Sequence, residues 1–503
     1  MAGDGANQGF PKQRMVVSDD KLPAHWRRDY TGRDLRPKAN TALRGTGATS
    51  GKFHTGEASM NEILRKRSAL GRAVAVTLAV AALGAAPSVL AQTAKEAELE
   101  ARIAELEKLV KEMQAATPAP ARGEKDKPIQ SKSITPNAAP GTSFHVTGFV
   151  KADALWTDTG DGEIADGSSG RDFYIPSTIP VGGKSEDSAD FGFHVKQSRF
   201  NFGTDTVFES GQLLQTRFEI DFYGSALGNQ RVSNTYAPVL RHAYVKYGNW
   251  LVGQTWSNFM DVATLPEAVD FIGNTDGTVF VRQPQVRWTS GGFSVSAENP
   301  QTTIYAYQGT SSFESDDSLF PDLTARYTFK GAWGHLSAAG LLRELRYERA
   351  GTPTQSKIDD NEWSLAYSLS GKWNVWGKDD IRFYLLGGNL GRYVGLNFSA
   401  DAMLTQNNKL ESVDGWAGSV SFRHFWSNSW RSTVWYAMQD YDNDRKYVGG
   451  GTNKSSDSIG VNLFYSPFAK LDLGVEYRHA NREVEDGTDG KLDRLQFTTK
   501  YSF

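Results

Sequence analysis

Six arginines interrupt alternating apolar segments of the chain: Arg199, Arg217, Arg241, Arg282, Arg287 and Arg326. A guanidinium stays charged at any physiological pH, and its planar fork can take a carboxylate through two parallel hydrogen bonds. Arginines spaced along a wall would therefore offer a diffusing anion successive sites, each weak enough to release it. Acids share the pattern. In "QTRFEIDFYG", Glu219 and Asp221 fall on the parity of Arg217, while Phe218, Ile220 and Phe222 fall on the other. The competing reading is that the arginines pair with Glu219 and Asp221, or with Asp261, Glu267 and Asp270 further along, which balances the wall and sets a transverse field.

Other chemistry finds no support in the sequence. The chain has no cysteine, which excludes disulfides, thiolate metal sites and cysteine nucleophiles. "GGGTNKSS" has the look of a phosphate loop, but Asn453 precedes Lys454 where a glycine is required. "DYDNDR" spaces Asp440, Asp442 and Asp444 like a calcium loop, yet Arg445 stands in the glycine position and no downstream Glu completes it. His194, His242, His335, His424 and His479 show no paired ligand spacing, and no serine, histidine and acid can be assigned to a triad. The expectation is no metal, no cofactor and no catalytic residue. A net charge of -3 and a pI near 6.3 give no reason to expect nucleic acid.

The elements carrying these arginines read as strands. Residues 143–503 break into segments of about ten residues with period-two character, as in the closing "LQFTTKYSF". The turns between them alternate in length. "FESGQ", "YGNW" and "FWSNSW" are tight, whereas the stretches 158–190, 224–238, 260–280, 301–320, 348–361, 395–414 and 440–456 are long. Aromatics crowd the segment ends, including Trp250, Trp256, Trp288, Trp333, Trp416, Trp426 and Trp430. A soluble β-sandwich could alternate too, but it has no reason to keep short turns on one side and long ones on the other. The pattern predicts an all-β transmembrane barrel of about 16 antiparallel strands, with its arginines facing a water-filled lumen and Phe503 pairing at the seam. The long stretch after the fifth strand, "SNFMDVATLPEAVDFIGNTDGTVF", sits where a loop could fold inward and narrow that lumen.

Ahead of the barrel the chain changes character. Residues 1–59 are polar and aperiodic and read as disordered or as preceding the true start at Met60. Residues 60–91 have a basic n-region, an apolar run of about 14 residues and small residues before a cleavage position at Ala91, the build of a secretory signal. A membrane anchor is the competing reading, but spanning takes about 20 residues. In 92–116, Leu99, Ile103, Leu106, Val110 and Met113 repeat at alternating steps of four and three. That is an α-helical coiled-coil seam with Ile103 and Val110 at a; a single amphipathic helix is the alternative. Residues 117–142 form a Pro/Ala-rich linker. About seven excess positive charges precede residue 142 and about ten excess negative ones follow it.

The order of coil, linker, "VTGFVKADALW", "QSRFNFGTDT", "QTRFEIDFYG", "LRHAYVKYGNWLVGQTWSNFMD" and "VRQPQVRW" resembles the DcaP-like outer-membrane porins over residues 92–503. The match is specific in its first half and rests on strand pattern alone after about Pro300. The resemblance implies a homotrimer of 16-stranded barrels in the Gram-negative outer membrane, with the N-terminal coil in the periplasm. It also implies uptake of small anions such as dicarboxylates and aromatic carboxylates, and an assembly signal at Tyr501 and Phe503. Outer-membrane lipid and lipopolysaccharide are the expected surroundings, with cell-wall contact through the coil as a further expectation. Two other functions compete: a non-selective porin with balanced walls, and an envelope tether in which conduction is incidental.

Overall fold

A computed structural model describes residues 141–503, apart from 184–187, 226 and 354–355. The expectations for 1–59, the signal at 60–91, the coil seam at Leu99, Ile103, Leu106, Val110 and Met113, and nearly all of the linker concern residues outside those described.

Among the described residues, sixteen antiparallel strands close on themselves. They are β1 (Thr142–Thr159), β2 (Ser188–His194 and Arg199–Val207, interrupted at 195–198), β3 (Leu213–Asp221), β4 (Val239–Tyr247), β5 (Trp250–Trp256), β6 (Arg282–Ser290), β7 (Phe293–Glu298) and β8 (Asp322–Gly331). The ring continues through β9 (Gly334–Arg349), β10 (Ile358–Asn374), β11 (Asp380–Gly388), β12 (Gly415–Phe425), β13 (Trp430–Tyr441), β14 (Asn453–Tyr465), β15 (Leu471–Val484) and β16 (Asp489–Ser502). The final strand pairs with the first, from Phe149 opposite Ser502 to Thr159 opposite Leu492. Phe503 completes the seam, donating its N–H to the carbonyl of Gly148 at 3.0 Å and accepting from the Gly148 N–H at 3.3 Å. Gly148 is required there. A Cβ at this position would collide with the Arg199 carbonyl and come within 2.9 Å of the Phe503 ring.

Closure leaves no ladder group unpaired in lipid, which is the condition for a sheet to span a bilayer. The alternation does the rest. Phe218 is exposed on the outer face, while Asp221 on the other parity is wholly buried. Leu323, Tyr327 and Phe329 likewise turn out of β8, while Asp322 and Thr324 turn in. In lipid the exposed apolar set is solvated and the enclosed polar set is hydrated or paired.

Two expectations need correction. The stretch 348–361 is a shorter connection than expected, since β9 and β10 run 16 and 17 residues, reach into it from both sides and pair as far as Arg349 opposite Ile358. A crossing needs only about 9–11 residues, so these strands rise beyond the bilayer, where the ladder persists without a lipid-facing pattern to reveal it. Trp256 is not a girdle residue. It packs against the buried Phe259 cluster and the Phe280 ring, 4.8 Å away.

On the long-loop side, Thr302–Tyr305, Ser312–Ser315, Ala402–Leu404 and Leu410–Ser412 form a separate four-stranded sheet. Its Ile304, Leu404 and Leu410 pack on Leu345 and Ile358 of the extended strands. The elements that matter most for the lumen are the loop between β5 and β6 and the inner face of β2 to β8.

Candidate functional site: the lumen wall and the third loop

The loop from Ser257 to Val281 runs inside the barrel, and its contacts trace the path. Asp261 accepts from Nε2 of His335 on β9 at 2.7 Å and from Oγ of Ser370 on β10 at 2.9 Å, while its other oxygen accepts from the Ala263 N–H. Burial pushes the Asp261 carboxyl up, but the His335 bond and charge and the Ser370 bond more than offset it, leaving it below the usual carboxylate range. Glu267 accepts from Nε and Nη2 of Arg431 at 2.6–2.9 Å and from Arg423 at 3.3 Å. Those arginines lie within two residues of the short-turn ends of β13 and β12, so the loop descends almost to the opposite mouth.

It then climbs. The Val269 N–H donates to Glu476 of β15, and the Val269 carbonyl accepts from Nζ of Lys151 on β1 at 2.8 Å. Asp270 meets Arg478 at 3.4 Å and accepts from the Tyr174 N–H of the first loop at 3.2 Å. Asp276 is wholly buried, with Tyr174, Ser456 and Ser458 donating to it. Burial pushes its carboxyl upward despite those bonds. Residues 272–279 are all buried, whereas Phe271 and Phe280 at either end of that run stay half-buried.

Glu267 and Asp270 thus find arginines that sequence reasoning missed, and Asp261 finds a histidine; none of the three pairs with the six proposed arginines. Arg423, Arg431 and Arg478 could have been found by the parity rule that found Arg217: Tyr477 and His479 flank Arg478 as Thr216 and Phe218 flank Arg217. The same holds for Arg343, wholly buried against Asp401 at 2.5 Å and Asp322 at 3.3 Å, and for Arg382 with Asp380 at 2.6 Å.

The six proposed arginines divide in two. Arg199 meets Asp221 at 3.0 Å and Glu219 at 3.6 Å, and Arg241 meets the same two at 3.0 and 2.8 Å. A bulge permits this. Glu219 pairs in register with His242 and Ile220 with Leu240, so Arg241 is the extra residue and turns inward together with His242. Arg217 meets Asp205 at 2.9 Å and also donates to the Thr204 and Thr216 carbonyls.

Arg282, Arg287 and Arg326 have no carboxylate within ion-pair distance among the described residues. Arg287 donates to Gln285 and to the Trp256 carbonyl at 2.8 Å, and Arg326 donates to the Met260 carbonyl at 2.7 Å. Arg282 lies over the Trp256 ring at 4.9 Å and the Phe280 ring at 5.9 Å, with Nη1 lacking an acceptor. It departs from the expected alternation, since Gln283, Gln285 and Arg287 are the enclosed parity of β6. Its place at the strand's first residue, opposite Trp256, brings it in beside the loop.

A closed sixteen-stranded barrel with a lipid-compatible exterior, a polar interior and an inward-folded third loop defines an outer-membrane channel of the porin type. The family model described as DcaP outer membrane protein matches residues 130–503, and the chain belongs to that family. The outer membrane channel DcaP of Acinetobacter baumannii is 24% identical, with a TM-score of 0.59 over 73% of this chain and 99% of that one. An anion-selective porin from Comamonas acidovorans is 11% identical, with a TM-score of 0.43 over 72% of this chain and 100% of that one. Vibrio cholerae OmpT with its eighth loop deleted is 13% identical, with a TM-score of 0.42 over 72% of this chain and 100% of that one. No curated protein matches the sequence.

Proposed function

We propose that the protein is a passive channel whose diffusion is biased towards small anions. The observation that carries this is that Arg282, Arg287 and Arg326 meet no carboxylate at ion-pair distance among the described residues, while Asp261, Glu267 and Asp270 are each engaged by wall cations or histidine, and Glu298 and Asp276, which meet no cation at that distance, are buried beneath neutral hydrogen-bond donors. Unpaired guanidinium in a confined lumen raises local anion concentration, and carbonyl or ring contacts fix its position without neutralising it. Arg199, Arg217 and Arg241, with Glu219, Asp221 and Asp205 against them, serve as the scaffold of that wall. Dicarboxylates and aromatic carboxylates, a homotrimeric assembly, lipopolysaccharide around the rim and a periplasmic N-terminal coil complete the reading, on the strength of the family resemblance.

The test is the reversal potential of the protein in planar bilayers under a potassium chloride gradient. Chloride preference is expected; cation preference, or none, overturns the proposal in favour of a balanced, non-selective channel.

A further inference from the structure

The third loop is not alone inside the ring. The first loop, between β1 and β2, also turns inward, and Tyr174 carries it down to the third loop. The Tyr174 hydroxyl donates to Asp276 at 2.9 Å and its N–H donates to Asp270 at 3.2 Å, while the Arg478 guanidinium of β15 lies over its ring at 4.3 Å. Its remaining contacts with the wall of β15 and β16 are few. Ile164, Tyr174 and Ile179 pack on Ala480 and Leu492, and the Gly170 and Ile179 carbonyls accept from Arg494 and Arg482. Polar bonds therefore carry most of this seating, and water can replace each of them.

The wall beneath the first loop is poorly satisfied. Arg494 donates to the Thr157 hydroxyl and the Gly170 carbonyl and meets no carboxylate at ion-pair distance among the described residues; its Nη1 and the Nε of Arg478 are buried without an acceptor. Native interiors rarely leave such groups unmet. On its opposite side the loop borders a cavity of about 670 Å³, enclosed with Asp190 and Lys196 and with Gln230 and Tyr236 of the second loop. Arg171 and Asp172 tie the first loop to that side, through Asp190 at 3.2 Å and Lys196 at 2.6 Å. Gly162 and Gly182 stand at its two ends with φ of 131° and 66°, and glycine crosses between backbone regions at little steric cost. The loop thus has two pivots, a tether on the side with free space and a weak seat on the other.

We propose that the first loop, from Gly162 to Gly182, is a hinged lid that swings into this cavity. In doing so it lifts Tyr174 off Asp276 and Asp270, uncovers Arg478 and Arg494, and opens a second aqueous path along β15 and β16. Hydration of the two arginines offsets the bonds that Tyr174 gives up, which keeps the seated and lifted states close in free energy. The lid is independent of which ion the channel prefers. It is also independent of the third-loop anchors at Asp261 and Glu267, which are held by His335 and Arg431 rather than by Tyr174.

The chain has no cysteine, so one introduced thiol reports on one position. Ala480→Cys places it on β15 beneath the lid, and Ala417→Cys places it on β12, likewise buried but in the cluster around Phe259. The full chain, folded in lipid vesicles, is treated with a small charged methanethiosulfonate, and labelling is followed by mass. Ala480→Cys is expected to react and Ala417→Cys to stay unlabelled, and adding Tyr174→Phe should speed the first alone by about tenfold. Planar-bilayer recordings of Tyr174→Phe should show a larger conductance level occupied more often than in the unaltered protein. If Ala480→Cys yields no folded barrel, Leu492→Cys carries the same test. An unreactive thiol beneath the loop, acceleration shared by Ala417→Cys, or a single unchanged conductance level in Tyr174→Phe overturns the lid.

Discussion

Neutralising Arg287 and Arg326 together should abolish most of the proposed anion preference, while deleting the pair formed by Arg217 and Asp205 should leave it nearly unchanged. Both perturbations remove arginine from the same wall, but they differ in net charge. Arg287→Gln with Arg326→Gln removes two positive charges that meet no carboxylate at ion-pair distance, whereas Arg217→Gln with Asp205→Asn removes a contact at 2.9 Å and changes the sum by nothing. A unit charge about 4 Å from a passing ion contributes about 1 kcal/mol in a water-like medium. That is about fivefold in local anion concentration per guanidinium, and about 25-fold for two acting on one ion. Screening over about 10 Å at 0.1 M salt reduces the effect, so dilute solutions give the sharpest contrast. Under a tenfold gradient an ideally anion-selective channel reverses at about 59 mV. The unaltered protein should reverse well on the anion side, and the double arginine variant should fall towards zero. Equal shifts from the two designs would refute the reasoning, for then arginine number rather than unpaired charge would set selectivity.

Three further outcomes follow from the same contacts. Glu267→Gln removes the charge and one of the two acceptor oxygens that hold the third loop against Arg431 and Arg423 near the short-turn mouth, at a cost of about 1.5–3 kcal/mol. Arg431 keeps Asp472 and Arg423 keeps Asp380, so the barrel should fold and single-channel recordings should show larger, noisier conductance; an unaltered conductance would remove the loop from the constriction. Asp276→Asn tests the buried carboxyl. Because its folded value lies above its unfolded one, its contribution is fully present below the unfolded value and fades as pH rises through the folded value. The variant's unfolding temperature should therefore gain on the unaltered protein as pH rises from the ordinary carboxylate range upward, and a widening deficit on that rise would contradict the sign. Gly148→Val places a side chain against the Arg199 carbonyl and the Phe503 ring at the seam, so it should lower the yield of heat-modifiable folded barrel in gel mobility; full yield would show that the seam tolerates a Cβ.

The barrel was legible because lipid imposes a strict rule on every other residue. Phe218, Leu323 and Tyr501 could be assigned outward without any knowledge of their neighbours, and the tight turns gave the polarity of the ring. The extended ends of β9 and β10 were not legible, since above the bilayer no rule separates one face from the other and the ladder leaves no trace in composition. Trp256 and Arg282 broke the alternation for a related reason. They stand at the junction of strand and loop, where the inner face is decided by what the loop brings to it, and Phe280 and Met260 arrive from outside the strand pattern.

Partner choice is where sequence parity fails in principle. Parity says that Arg217 and Arg423 both face inward, but not that one will meet Asp205 from the adjacent strand and the other Glu267 from a loop some 156 positions away. Local pairs such as Arg199 with Asp221 are fixed by neighbouring strands, so they persist wherever the third loop goes. The pairs made by Glu267, Asp270 and Asp276 exist only because the loop descends and climbs again inside the ring. Glu267 and Asp270 are taken by arginines of the far wall and Asp261 by His335, which leaves Arg282, Arg287 and Arg326 on the near wall without a loop carboxylate. Anion bias, on this reasoning, is a property of the loop's path as much as of the arginines themselves, and a loop released from Glu267 would carry its carboxylate back into the lumen and diminish that bias along with widening the passage.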